Sequence, residues 1–196
     1  MHRRLAEVLT IMVILGVSEL SMAAIGTARA RSVADGLRPL VETSARRLAI
    51  AEAVALSKWD SRTAVEDTLR EAQVLARAVA DGTARGLDQR AVTNFFRAQI
   101  EANKLVQYTL LSAWQRRGGP PPHGSIDLAT TIRPQLDHVE TELMTELVNT
   151  AAIRASADCP VGVAKAVTAH LAAHQYDLGP LEVIALDRAL AATCTL

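Results

Sequence analysis

RLAIAEAVALSK, residues 47–58, begins and ends on a cation and holds mostly small or apolar side chains between them. Eleven steps of about 100° return a helix to within roughly 20° of its starting direction, so Arg47 and Lys58 share one face, about 16 Å apart along the axis. Ser44, Ala51, Val54 and Ala55 lie on that same face. Leu37, Leu40, Val41 and Leu48 extend the spacing of threes and fours upstream, which marks one buried stripe. The stretch reads as part of a long helix over 33–58 whose inward side carries two cations. Long basic side chains can snorkel from such a face to water. A counter-charge or a small anion held inside would account for them equally.

Composition agrees with helices. A chain of 196 residues with 49% hydrophobic content fills one domain-sized core, yet it holds only two Trp, two Tyr and two Phe. Leu, Val and Ala must do the packing, which suits closely apposed helices better than a sheet rich in aromatic side chains. The 21 basic and 21 acidic residues balance, and no basic run is interleaved with aromatics. Nothing favours nucleic acid or an anionic membrane surface as a partner.

The first thirty residues read differently. Arg3 and Arg4 precede the apolar run LTIMVILGV, and small residues follow, with cleavage expected after Ala23 or Ala30. That run is too short to span a bilayer, which needs roughly 20 apolar residues. Residues 1–30 are thus expected to be a signal peptide, and 31–196 a single helical domain with no membrane span. Three arginines and two glutamates leave with the longer leader, so the mature chain carries a net charge of −1. Cys159 and Cys194 are the only cysteines. In an oxidising compartment they either form a disulfide that holds the last segment down or remain as two buried thiols.

The remaining chain resolves into further helices. Thr63 and Glu66 form T-x-x-E, a capping box for a second helix ending near Val79 at DGTARG. Asp88 is the expected N-cap of a long third helix, 89–114, with Val92, Phe96, Ile100, Leu111 and Trp114 inward. GGPPPHGS (118–125) cannot be helical. A fourth long helix over 128–155, with Pro134 near its start, precedes two shorter ones over 160–174 and 178–193. The expected fold is all-α, one bundle of about six helices.

Polar groups recur along the inward stripes. Asp67, Arg70 and Glu71 form one patch at i, i+3 and i+4, beside Val74 and Leu75. Gln99, Asn103 and Gln107, each four apart, make a ridge beside Phe96, Ile100 and Leu111. A buried cation is costly unless something negative meets it, and Asp67 and Glu71 are candidates for that counter-charge.

Taken in order, R-x10-K-x8-D-x2-R-E (Arg47, Lys58, Asp67, Arg70, Glu71) followed by N-x3-Q (Asn103, Gln107) resembles the all-helical chorismate mutases. The similarity spans roughly 35–115. The longer C-terminal part, with a Cys pair placed like Cys159 and Cys194, is similar to the exported subclass, which is periplasmic or secreted. The resemblance implies a cavity inside a helical bundle where chorismate rearranges to prephenate, with no cofactor and no metal, in a homodimer. By the family pattern Arg47 binds a substrate carboxylate and Lys58 meets a carboxylate and the ether oxygen. Gln107 donates to that oxygen, Glu71 takes the ring hydroxyl, and Asp67 and Arg70 shape the wall. Asn103 stands where the family often has a hydroxyl and can donate to a carboxylate. A second carboxylate-binding arginine is also implied, drawn in the exported subclass from the same chain. Arg133 is the expected one, Arg154 the alternative, and Glu142 falls near the register where relatives place that cation.

This chemistry suits these residue types. An intramolecular rearrangement needs no nucleophile, only a folded substrate and donors where charge gathers on the breaking ether bond. Arginine's planar fork orients carboxylates, and lysine supplies a compact charge. The competing reading is a non-catalytic exported bundle that holds a small anion or a partner. His170 and His174, at i, i+4, lack the further ligands a metal requires and read as helix-surface or half-buried residues.

Overall fold

Every member of the stripe from Leu37 to Ala55 is buried: Leu37, Leu40, Ser44, Ala51 and Ala55 are wholly inaccessible, and Val41, Leu48 and Val54 nearly so. The computed structural model describes residues 33–174 and 178–195. The expected leader over 1–30 lies outside the described residues. Among the described residues there is no strand. The helices are α1 (33–49), α2 (Ala51–Ser61), α3 (Thr68–Ala84), α4 (Gln89–Arg117), α5 (Arg133–Asn149), α6 (Ala151–Arg154), α7 (Cys159–Ala173) and α8 (Pro180–Leu190).

The expected helix 33–58 is interrupted for one residue at Ile50, then runs on to Ser61. Ile50 keeps right-handed angles (φ −76°, ψ −16°), and Val54 N–H still donates to Ile50 O at 3.1 Å. The cations at 47 and 58 therefore stay on one inward side. Pro39 lies within α1 on its exposed side.

Thr63 does not cap the next helix. Arg62 adopts φ +55° and ends α2, and Thr63 N–H closes that end on Lys58 O at 3.1 Å. Asp67 is the cap instead: its Oδ1 accepts from Arg70 N–H at 3.0 Å, and its own N–H reaches back to Glu71 Oε1 at 3.4 Å. α3 also outruns Val79, because Gly82 remains helical and buried while Gly86 makes the break. Gly86 has φ +79°; Leu87 N–H donates to Gly82 O at 2.9 Å and Gly86 N–H to Thr83 O at 3.0 Å, a left-handed helix end that glycine favours.

Asp88 caps α4 as expected, accepting from Ala91 N–H at 2.8 Å. The fourth helix is divided at both ends. Residues Leu128–Ile132 form a π-helical turn in which Arg133 N–H donates to Leu128 O. Pro134 has no N–H for Thr130 O and its ring crowds that carbonyl, so a wider turn before it relieves the clash. At the other end Thr150 Oγ1 donates to Glu146 O at 2.6 Å, a back-bond that bends helices, and α6 follows as a separate turn.

α4 is the central element, packed against α2, α3 and α8. Phe95 and Phe96 are buried at its N-terminal half among Leu37, Leu40, Leu143, Met144 and Leu186. Trp114, near its other end, meets Trp59 edge to face at 6.1 Å in a small second core. Cys159 and Cys194 form a disulfide. Arg154, the alternative candidate for the second carboxylate-binding arginine, belongs to this end of the molecule. It is 4% exposed and donates to Leu147 O at 3.1 Å and Thr193 O at 3.4 Å, which ties the last residues to α5.

Candidate functional site

Residues from α1, α2, α3, α4 and α5 line one cavity of about 110 Å³. Arg47, Lys58, Asp67, Arg70, Glu71, Asn103, Gln107 and Arg133 all border it. Other hollows of 270, 280 and 290 Å³ are wider, but none gathers these cations and amides. The convergence follows from the helix patterns. Arg47 and Lys58 share the inward side of α1 and α2, Asn103 and Gln107 are one turn apart on α4, and Arg133 is at the start of α5.

Arg47 is 5% exposed. Its Nη1 donates to Gln99 O at 2.8 Å, its Nη2 lies 3.5 Å from Glu140 Oε1, and its Nε has no partner. Burial lowers its pKa, an effect that the charge of Glu140 opposes. The counter-charge expected from α3 thus comes from α5 instead. Glu140 was not anticipated, and its own pKa is raised by burial against the pull of Arg47. Glu142, the acidic residue read near the family's cation register, faces away and pairs with Arg46 at 2.7 Å. Two residues along a helix turn a side chain by about 200°, enough to exchange interior for surface.

Lys58 is 8% exposed, and its Nζ donates to Val65 O at 2.6 Å. The loop 62–67 therefore closes over it, with Val65 buried. Burial lowers the Lys58 pKa, Asp67, Glu71 and Glu66 pull it back, and Lys104 pushes it down further. No carboxylate among the described residues is ion-paired with Lys58. Its counter-charges act at longer range.

Glu71 is held by a lysine that sequence reasoning missed. Lys104, 9% exposed, reaches Glu101 at 2.8 Å, Glu66 at 2.9 Å and Glu71 at 3.3 Å. Burial would lower its pKa, but hydrogen bonds to Glu101 and Glu66 and the charge of Glu71 outweigh it, so the value is raised. Its place directly after Asn103, beside the amide ridge, was the available signal. Arg70 turns outward, donating to Asp137 Oδ1 at 3.0 Å, and Arg77 reaches the same oxygen at 3.1 Å. These contacts join α3 to α5 across the cavity mouth.

The amides on α4 act as a relay. Asn103 Nδ2 donates to Arg47 O at 3.3 Å, and Gln107 Nε2 donates to Asn103 Oδ1 at 2.7 Å. Gln107 is 4% exposed and its Oε1 has no partner. Gln99, the third member of the ridge, is structural: it is fully buried, donating to Ser44 Oγ at 2.9 Å and Ala189 O at 3.1 Å. Arg47, Lys58, Arg70, Lys104 and Arg133 bring cations from five helices to the site, beside the amides of α4. That set suits an anionic ligand with oxygen acceptors. Among the described residues no group of His, Cys, Asp and Glu is arranged to hold a metal, and no helix is long and apolar enough to cross a membrane.

The family described as chorismate mutase type II matches residues 38–108. The secreted chorismate mutase of Mycolicibacterium smegmatis is 31% identical over 175 residues, covering 89% of this chain and 95% of that protein. The crystal structure of a chorismate mutase from Burkholderia phymatum superposes with a TM-score of 0.79 at 42% identity, covering 84% of this chain and 99% of that one. A second, from Burkholderia thailandensis, gives 0.76 at 36% identity, covering 81% and 99%.

Proposed function

This chain belongs to the chorismate mutase type II family, and on that footing we propose how its cavity works. The protein is an exported chorismate mutase that rearranges chorismate to prephenate. Within the bound molecule the ether C–O bond breaks as a C–C bond forms. No group is transferred to the protein, so its task is to fold the substrate and stabilise charge on the ether oxygen.

Arg47 and Arg133 each take one substrate carboxylate. Lys58 reaches a carboxylate and the ether oxygen. The Gln107 amide nitrogen carries two hydrogens; one is held by Asn103, and the second goes to the ether oxygen. Glu71, steadied by Lys104, accepts from the ring hydroxyl, while Asp67 and Arg70 shape the wall between. Donors already oriented in a largely buried site need little rearrangement as charge develops.

The observation that supports this reading is that Arg47, Lys58, Gln107 and Arg133 border a single cavity of one chain. The test is the loss of chorismate absorbance on adding purified mature protein. Absence of conversion, with a dianionic ring compound still raising the melting temperature, would instead make the cavity a binding site without catalysis.

Export rests on the basic and apolar leader, the Cys159–Cys194 disulfide and the secreted relative. The leader is proposed to span 1–30, with cleavage after Ala23 or Ala30, which N-terminal sequencing of the exported protein would test. A homodimer is proposed as the solution state, since closed two-fold assembly is the common default. Light scattering of the mature chain tests it. The second arginine, Arg133, comes from the same chain as Arg47, so the site does not need a partner to supply it.

A further inference from the structure

Arg47 borders the cavity, and the guanidinium edge made by its Nε and Nη2 is the kind that grips a carboxylate side-on. That edge is incompletely used. Nε has no partner, and Nη2 has only Glu140 Oε1 at 3.5 Å, too far for a good hydrogen bond. Glu140, whose side chain is 14% exposed, is itself only loosely held. Its Oε2 lies 3.8 Å from Arg77 Nη2, and that nitrogen already donates to Asp137 at 3.1 Å. A counter-ion built to neutralise a buried arginine permanently is expected in close two-pronged contact with it. Glu140 instead hangs between an interior and a surface arginine.

We propose that Glu140 is a resident carboxylate that the substrate displaces: it occupies the substrate's place on Arg47 in the empty site, turns to Arg77 when substrate enters, and so sets substrate affinity. The inference rests on the reading that the cavity receives a dicarboxylate. It deepens that reading by naming a competitor within the chain itself.

The charges facing Glu140 make the competition depend on pH. Arg47 comes from α1, Arg70 and Arg77 from α3, and Asp137 and Arg133 from α5 itself; Lys58 of α2, Lys104 of α4, Asp67 and Glu71 border the same cavity. Burial raises the Glu140 pKa, so its proton is lost nearer neutrality than a surface glutamate's. Protonated Glu140 does not compete for Arg47; ionised Glu140 does.

Steady-state kinetics between about pH 5 and pH 8 test this in the wild type, Glu140→Gln and Arg47→Ala. In the wild type KM for chorismate should rise with pH. In E140Q, nearly the same size, KM at pH 8 should fall about fivefold, the effect of one partly exposed ion pair, and lose its pH dependence. The kcat should stay within about twofold, because Glu140 does not touch the reacting bonds. A KM in E140Q that matches or exceeds the wild type at every pH would overturn the proposal, since Glu140 would then be orienting Arg47. If R47A leaves KM unchanged, the reading of the cavity fails, and the Glu140 proposal with it. If R47A raises KM while E140Q does not lower it, only the proposal about Glu140 is lost.

Discussion

Gln107 Nε2 donates to Asn103 Oδ1 at 2.7 Å, one turn back along α4, and Asn103 is in turn fixed by Arg47 O at 3.3 Å. Asn103 thus aims the amide that is to serve the ether oxygen. Removing it in Asn103→Ala should lower kcat by about fivefold to tenfold, the worth of roughly one hydrogen bond, with KM less affected. A kcat equal to the wild type would remove Asn103 from this role.

Gln107 donates at any ordinary pH, whereas a glutamate at that position needs a proton. Gln107→Glu should therefore confine kcat/KM to acid, while the wild type holds a broad profile upward from about pH 5. The variant's rate at pH 7 is the deciding number. If it matches the wild type, Gln107 is not at the ether oxygen.

Lys58 sets the alkaline side. Burial lowers its pKa, so its charge is lost at a lower pH than a free lysine's as pH rises, and kcat should decline on that limb before about pH 10.5. Lys58→Ala should cost about 3–4 kcal/mol of transition-state stabilisation, a drop of two to three orders of magnitude in kcat. Circular dichroism should show the same helical fold, which would separate lost chemistry from lost structure.

Lys104 holds Glu66, Glu71 and Glu101 together. Its folded pKa is raised, so its stabilisation is present below the unfolded lysine value and lost as pH rises through the folded one. Glu66 is shifted the other way, chiefly by hydrogen bonds from Lys104 and Tyr108. Its share is present above the unfolded glutamate value and lost as pH falls. Lys104→Met should lower the melting temperature most between these limits, at pH 7, with the deficit shrinking towards pH 3. A deficit independent of pH would mean packing, not charge, is what Lys104 supplies.

The Cys159–Cys194 disulfide closes a loop of sequence separation 35 and ties the end of the chain to the start of α7. Reduction, or Cys194→Ser, should destabilise the fold by about 3–4 kcal/mol in thermal unfolding. Activity at 25 °C should persist in the reduced protein, because neither cysteine borders the cavity.

Much of this was legible in the chain itself, where the governing contacts are local. Helical periodicity placed Leu37 to Ala55 on a buried stripe, and the Asp88 cap fixed the start of α4, which runs three residues past its expected end at 114, because those signals act within three to five residues. The same short range explains the errors. Thr63 had a cap's spacing, but the left-handed Arg62 spent it on ending α2, and Pro134 and Thr150 each broke a helix that periodicity alone left whole.

By itself, then, helical periodicity determined the fold class, and the resemblance carried by the order of charged and amide residues implied the groups that meet: Arg47, Lys58, Asp67, Arg70, Glu71, Asn103, Gln107 and Arg133. Only the tertiary structure decided what each one touches. That Arg47 finds Glu140 rather than Asp67, that Glu71 is claimed by Lys104, and that Arg154 serves the chain end are matters of which helix lies opposite which. A helix's own sequence dictates which way its side chains point, but the partner across the gap belongs to another segment. At separations of a few ångströms, a rotation of one helix against its neighbour exchanges one partner for the next.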